Sequence, residues 1–178
     1  MKVEIRLCGF GGQGLILASK LLSQAAIIDG KIATQYQTYG AQVRGGTVKG
    51  DVVISERKID HPTVIAPDIL VAMSQDAYKK YGNNIKEGGI IITDPYFVKN
   101  IERKHIEIPF YETIKEELHS TLPLNMMVIA FIAKYTGLVS EASVEKAVLD
   151  RVPPHTIEIN SKALKLGVKF GEKYKQKN

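Results

Sequence analysis

The side chains that usually carry out chemistry are sparse in this sequence, and the residues that form a pattern are glycines. Gly9, Gly11 and Gly14 fit the spacing G-x-G-x-x-G, with Gly12 and Gln13 inside it. A backbone without Cβ atoms can turn tightly and aim its N–H groups at an anion above a helix N-terminus. Gly9, Gly11, Gly12, Gln13 and Gly14 are therefore candidate cofactor-binding residues in an anion-facing loop, where Gln13 either donates to the anion or fixes the turn. One strand further on comes a second cluster, Tyr39-Gly40 through Arg44-Gly45-Gly46. The Arg44 guanidinium offers a two-donor fork for a carboxylate or phosphate, or pairs with an acid of its own domain. Gly45 and Gly46 let the chain pass close to a substrate or a partner.

A dinucleotide site needs one more residue, an acid closing the second strand to hold a ribose hydroxyl. Asp29 lies at about the right distance in sequence but precedes the expected strand, Lys31 to about Gln37, and no carboxylate follows it before Gly46. This disfavours a self-contained NAD site. His61, His105, His119 and His155 are scattered, and nothing in their spacing suggests a metal site. There is no nucleophile elbow, paired carboxylate loop or P-loop lysine. Asp94 stands at the end of an apolar run, where ligands bind in open α/β sheets, although a turn-forming Asp before Pro95 is the favoured reading. Cys8 is the one cysteine, which excludes a disulfide framework or a cysteine-ligated cluster within the chain, and a buried structural thiol is favoured for it. No acid, base or nucleophile stands out.

The elements around these residues follow from their patterning. Val3, Ile5 and Leu7 alternate as a strand, and Leu15 to Ile28 is an apolar run free of Gly and Pro, which gives strand, glycine loop, helix. Thr47–Ser55 reads as a strand, with Arg57–Ile65 as a possible hairpin partner. Ile69–Met73 and Ile90–Thr93 have the continuous apolar character of strands buried on both faces. Between them Ser74 is an N-cap for a short helix that Gly82 stops. His105–Pro109 is a candidate short strand. From Thr113 onward the pattern is helical: Met126–Ala133 is a buried core helix capped by Gly137, and Ser140 opens the next. Pro153-Pro154 precedes a last helix whose stripe is Ile159, Ala163, Leu166, Phe170 and Tyr174. The expectation is one α/β domain over residues 1–178: a Rossmann-like three-layer sandwich with a mostly parallel central sheet and a helical C-terminal part.

The totals agree. A chain of 178 residues, 44% hydrophobic and 24% charged, can bury a core of its own. The net charge of +5 resides in residues 161–178, whose six lysines face one glutamate, while residues 1–160 are neutral. That is a solvated helix face, not a nucleic-acid surface. No membrane-length apolar run and no leader pattern are evident, so a cytoplasmic, soluble protein is expected, with no nucleic-acid or membrane partner.

The pair Gly9–Gly14 and Tyr39–Gly46, in this order and at this distance, resembles the gamma subunit of 2-oxoacid:ferredoxin oxidoreductases. The resemblance extends to Asp51–Ser55, Pro67–Ala72, Gly88–Asp94 and Asn125 ahead of the apolar helix. It implies the non-cluster gamma subunit of the enzyme, inactive alone. Its enzyme decarboxylates a 2-oxo acid on thiamine diphosphate, passes the acyl group to coenzyme A as co-substrate, and delivers electrons through iron–sulfur clusters to ferredoxin. The implied partners are alpha, beta and ferredoxin-like delta subunits, which hold the thiamine diphosphate, magnesium and clusters, and this chain alone binds no cofactor. The wording of the loops leans towards the 2-oxoglutarate branch, with pyruvate, branched-chain and indolepyruvate enzymes behind it. A free-standing Rossmann-type nucleotide-binding oxidoreductase and a non-catalytic interaction module are the alternatives.

Overall fold

Alternating apolar residues make the first strand, β1 (Lys2–Phe10), which is buried from Glu4 to Gly9 because it runs through the middle of the sheet. The computed structural model describes residues 1–39 and 46–176, with Tyr39 described through its backbone alone; Gly40, Arg44 and Gly45, named above, lie outside the described residues. The other strands are β2 (Ile32–Tyr39), β3 (Thr47–Ser55), β4 (Ile69–Ala72), β5 (Ile90–Thr93) and β6 (Ile106–Glu107). Their spatial order is β2-β3-β1-β4-β5-β6. The pairs β1–β4, β4–β5 and β5–β6 are parallel, while β3 runs antiparallel to both β1 and β2. β3 is thus the one described strand that opposes the rest, and the sheet is mostly parallel as expected.

One expectation fails here. Residues Arg57–Ile65 form no strand and do not pair with β3. Both edges of β3 are already taken, by β1 and β2, and Pro62 has no N–H to give a ladder. The segment instead lies against the sheet through Val64, whose carbonyl accepts from Arg6 at 2.6 Å. Arg6 also forms a buried two-point pair with Asp51 on β3, at 2.7 and 3.0 Å, and Lys49 reaches the same carboxylate at 2.8 Å.

The helices divide unevenly between the two faces. α1 (Leu15–Ile28), α3 (Phe110–Leu118), α4 (Leu124–Thr136), α5 (Glu141–Leu149) and α6 (Ile157–Lys175) share one core with Ile5, Leu7, Val71 and Ile92. α2 (Gln75–Tyr81) covers the other face with Cys8, Leu70, Ala72 and Ile91. Local caps mark the boundaries: Ser74 Oγ accepts from Ala77 N, Ser140 Oγ accepts from Ser143 N, and Gly137 ends α4 at positive φ. α4 is buried at every residue from Leu124 to Ala133. The face that α6 lays on it is centred on Ala163, Gly167 and Gly171, with Leu166, Phe170 and Tyr174 on its rim. A Cβ on Gly167 would press on Met127 O and stand 2.7 Å from Ala130 Cβ, so the two helices meet backbone to backbone.

Candidate functional site

The glycine loop joins β1 to α1 at the carboxyl-end edge of the sheet. Gly14 takes a left-handed conformation (φ 71°) and is the N-cap of α1 without a side-chain cap bond. The first turn of α1 holds no acidic residue, and a Cβ on Gly11 or Gly12 would meet nothing within 4 Å. Free space thus surrounds Gly11 and Gly12 ahead of the helix N-terminus, whose orphan N–H groups are of the kind that attracts anions. Two side chains hold this shape. Gln13 Oε1 accepts from Phe10 N at 3.0 Å, and Gln13 Nε2 donates to Met73 O at 2.7 Å. Of the two roles open to Gln13, its side chain performs the turn-fixing one. Asn125, at the start of α4, donates to Gly14 O at 3.1 Å and leaves no room for a Cβ there.

The two ends of the second cluster, Tyr39 and Gly46, reach the same edge by a route that sequence did not show. β2 is not a neighbour of β1. β3 lies between them, so Gly9, Val48 and Tyr39 are partners across three strands and Phe10 lies opposite Thr47. The connection from Tyr39 to Gly46 thus begins and ends beside the glycine loop. Gly46 is half-buried.

The other singled-out groups are structural. Asp29 caps α1 at the opposite edge, where its carboxylate accepts from Ser140 N (2.6 Å), Ser140 Oγ (2.7 Å) and Ser143 Oγ (2.6 Å). Cys8 is fully buried, and burial pushes its thiol up to about 12, so it stays protonated and inert. Asp94 is fully buried at the end of β5 and does form the turn, accepting from Tyr96 N at 2.8 Å. Its second oxygen, which sequence did not anticipate, accepts from Tyr111 N at 2.7 Å in the first turn of α3. Among the described residues no three His, Cys, Asp or Glu side chains are grouped to hold a metal ion. Grooves lie at the amino-end edge, one lined by Gly88, Gly89, Tyr135 and Lys175, another by Lys86, Arg103, Lys104 and His105.

Sequence reasoning missed an aromatic cluster on the glycine-loop edge. Tyr96 stacks on Tyr111 with ring centroids 4.0 Å apart, and Phe97 stands edge-on to Tyr96 (5.0 Å), Tyr111 (5.2 Å) and Phe10 (5.7 Å). Nothing local signals it, because its members come from three segments that only the fold brings together.

The chain and its fold have counterparts among known proteins. The family model for pyruvate ferredoxin/flavodoxin oxidoreductase matches residues 4–170. The chain belongs to this family. It is a gamma subunit of a 2-oxoacid:ferredoxin oxidoreductase. The gamma subunit of keto/oxoacid ferredoxin oxidoreductase from Geobacter sulfurreducens superposes with a TM-score of 0.88 at 36% identity, covering 97% of this chain and 98% of that one. The 2-oxoglutarate synthase subunit KorC of Methanocaldococcus jannaschii is 44% identical over 173 residues, which is 94% of this chain and 92% of that protein. The ketoisovalerate oxidoreductase subunit VorA of Methanothermobacter marburgensis is 33% identical across 97% of this chain, but there the matched part is 37% of a longer protein. No helix among the described residues of this gamma subunit is long and apolar enough to cross a membrane.

Proposed function

We propose that the chain, acting as one gamma domain over residues 1–178, completes a 2-oxoglutarate:ferredoxin oxidoreductase in the cytoplasm. Its substrate assignment rests on the similarity to the 2-oxoglutarate synthase subunit KorC along nearly the full length of both chains. In this reading the alpha and beta subunits carry the thiamine diphosphate and magnesium, and a cluster-bearing, ferredoxin-like subunit passes electrons to ferredoxin. The gamma chain offers no ligand set for a cluster, since its one cysteine is sealed beneath the sheet.

The observation that carries the proposal is that the strand ends Tyr39 and Thr47, which flank the second glycine cluster, lie beside the first glycine loop, with no acid, base or nucleophile in either stretch of sequence. Of the residues Gly9, Gly11, Gly12, Gln13 and Gly14, the backbone at Gly11, Gly12 and Gly14 would face an anion of the assembled active site, while Gln13 holds the turn over buried Gly9. Tyr39, Gly40, Arg44, Gly45 and Gly46 would face substrate, coenzyme A or the partner, with Arg44 pairing a carboxylate or phosphate.

The experiment is reconstitution of the complex with Arg44→Ala and Arg44→Lys subunits. Arg44→Ala should leave the melting temperature of the free subunit within a degree or two. In the complex it should cost about 2–5 kcal/mol in assembly or turnover, if a buried charged pair is broken. Lysine should restore only part, because an ammonium cannot reproduce the two-donor fork. A subunit that melts far earlier, yet supports normal turnover once assembled, would make Arg44 structural.

A further inference from the structure

The aromatic cluster on the carboxyl-end edge is more exposed and more firmly held than packing alone requires. Tyr96 is 48% exposed and Phe10 38%, although both are large apolar side chains. Asp94, fully buried, fixes the cluster by accepting from the backbone N–H of Tyr96 and of Tyr111 at once, which brings residues from two segments into a stack 4.0 Å apart. Two more exposed apolar residues belong to the same edge. Leu17 (40% exposed) follows Gly14 in the opening turn of α1, and Leu122 (87% exposed) precedes α4, whose Asn125 bonds Gly14.

Rigid aromatic side chains whose ordering cost is already met are the groups that dominate interface affinity. The Asp94 carboxylate that fixes the turn and the start of α3 also sets Tyr96 and Tyr111 in place before any partner arrives. In VorA the same domain is about a third of a longer chain, so there it has further protein of its own to pack against.

We infer that Phe10, Tyr96, Phe97 and Tyr111, flanked by Leu17 and Leu122, form the face on which this subunit docks to a partner subunit of the oxidoreductase. The partner's matching surface is apolar, with a hydrogen-bonding group opposite the tyrosine hydroxyls. This rests on the proposed function above and adds to it the surface and the chemistry of the contact. Asp94 is a positioning residue for that face.

The test measures affinity of the labelled subunit for the complex lacking it, with Tyr96→Ser, Leu122→Ser and the double variant. Ile27→Ser, an exposed residue at the far end of α1, is the control. Tyr96→Ser should weaken binding about 30-fold or more, as expected for a rigid aromatic anchor. The double variant should be weaker still, and Ile27→Ser unchanged, while all the free subunits melt together. Asp94→Asn should lower affinity without touching the surface itself. A double variant that binds like wild type, in a complex with full turnover, overturns the docking face and leaves the proposed function standing. A wild-type chain that binds no such complex overturns both. A free chain that is dimeric, and that Tyr96→Ser renders monomeric, makes the occupant a second copy and also overturns the inference.

Discussion

Asp29 and Asp94 show how the same side chain is put to opposite electrostatic use. Burial pulls the Asp29 carboxyl upward, but hydrogen bonds from Ser143 and Ser140 and the nearby Lys31 outweigh it, and the group sits below its ordinary range. For Asp94 burial wins over the bonds from Tyr111 and Tyr96, and the carboxyl is raised. The linkage signs follow. A lowered carboxyl stabilises the fold above the unfolded value, about 3.9, and that contribution is lost as pH falls through the folded value. A raised carboxyl does the reverse, since the folded state holds its proton more readily and loses stability as pH rises through the interval. For Asp29→Asn the prediction is a urea midpoint below wild type near neutral pH, with the gap closing as pH falls below about 4. A gap that does not change with pH would remove the carboxylate from the account. Sequence placed both aspartates near the ends of elements, but neither partner set was legible. Ser140 and Ser143 lie more than a hundred residues from Asp29, and Tyr111 reaches Asp94 only because α3 folds back over the sheet.

Among the elements, α6 is where periodicity misleads. The large residues Leu166, Phe170 and Tyr174 mark a stripe, and they do line the contact, but its centre is occupied by the smallest residues. Hydropathy patterns weight side-chain size, whereas the closest helix approach needs its absence. Gly167→Ala is therefore expected to destabilise by about 1–3 kcal/mol, against the gain of about 1 kcal/mol that alanine brings to an open helix site. Gly171→Ala should cost less, because its nearest obstacle is Lys134 Cβ at 2.7 Å and the nearest backbone atom, Phe131 O, stands at 3.1 Å, whereas at Gly167 a backbone carbonyl is itself the nearest atom. Thermal melts of the two variants check the ranking, and equal or stabilising effects would mean that the helices move apart freely. Elements with strong local signals were legible, among them the Ser74 and Ser140 caps, the Gly137 stop and the buried strands β4 and β5. The pairing of β3 was not, since local pattern cannot say that β2 already occupies the edge assigned to Arg57–Ile65.

For the molecule as a whole, the edge that holds the Gly9–Gly14 loop and the strand ends Tyr39 and Thr47 is opposite the one that holds Asp29. The only carboxylate near the sequence distance expected of a ribose ligand is thus turned away and committed to α5. Calorimetry with NAD or NADP should show no binding tighter than the millimolar range, on the order of 4 kcal/mol, and the isolated chain should not reduce a dye with any 2-oxo acid. Micromolar nucleotide affinity would revive the free-standing oxidoreductase.

The enclosure of α4 from Leu124 to Ala133 also has a consequence during synthesis. The segment Leu124–Ala133 is almost wholly apolar and leaves the ribosome well before α6, the helix that seals it. At about 5–20 residues per second, the roughly 40 residues from Ala133 to the end of α6 take on the order of 2–8 seconds to add. For that interval the nascent chain carries an unsheltered greasy helix beside a half-built sheet. The final helix therefore sets when the chain becomes safe to release, and a chain stopped before Ile157 should be found with holdase chaperones or in the insoluble fraction.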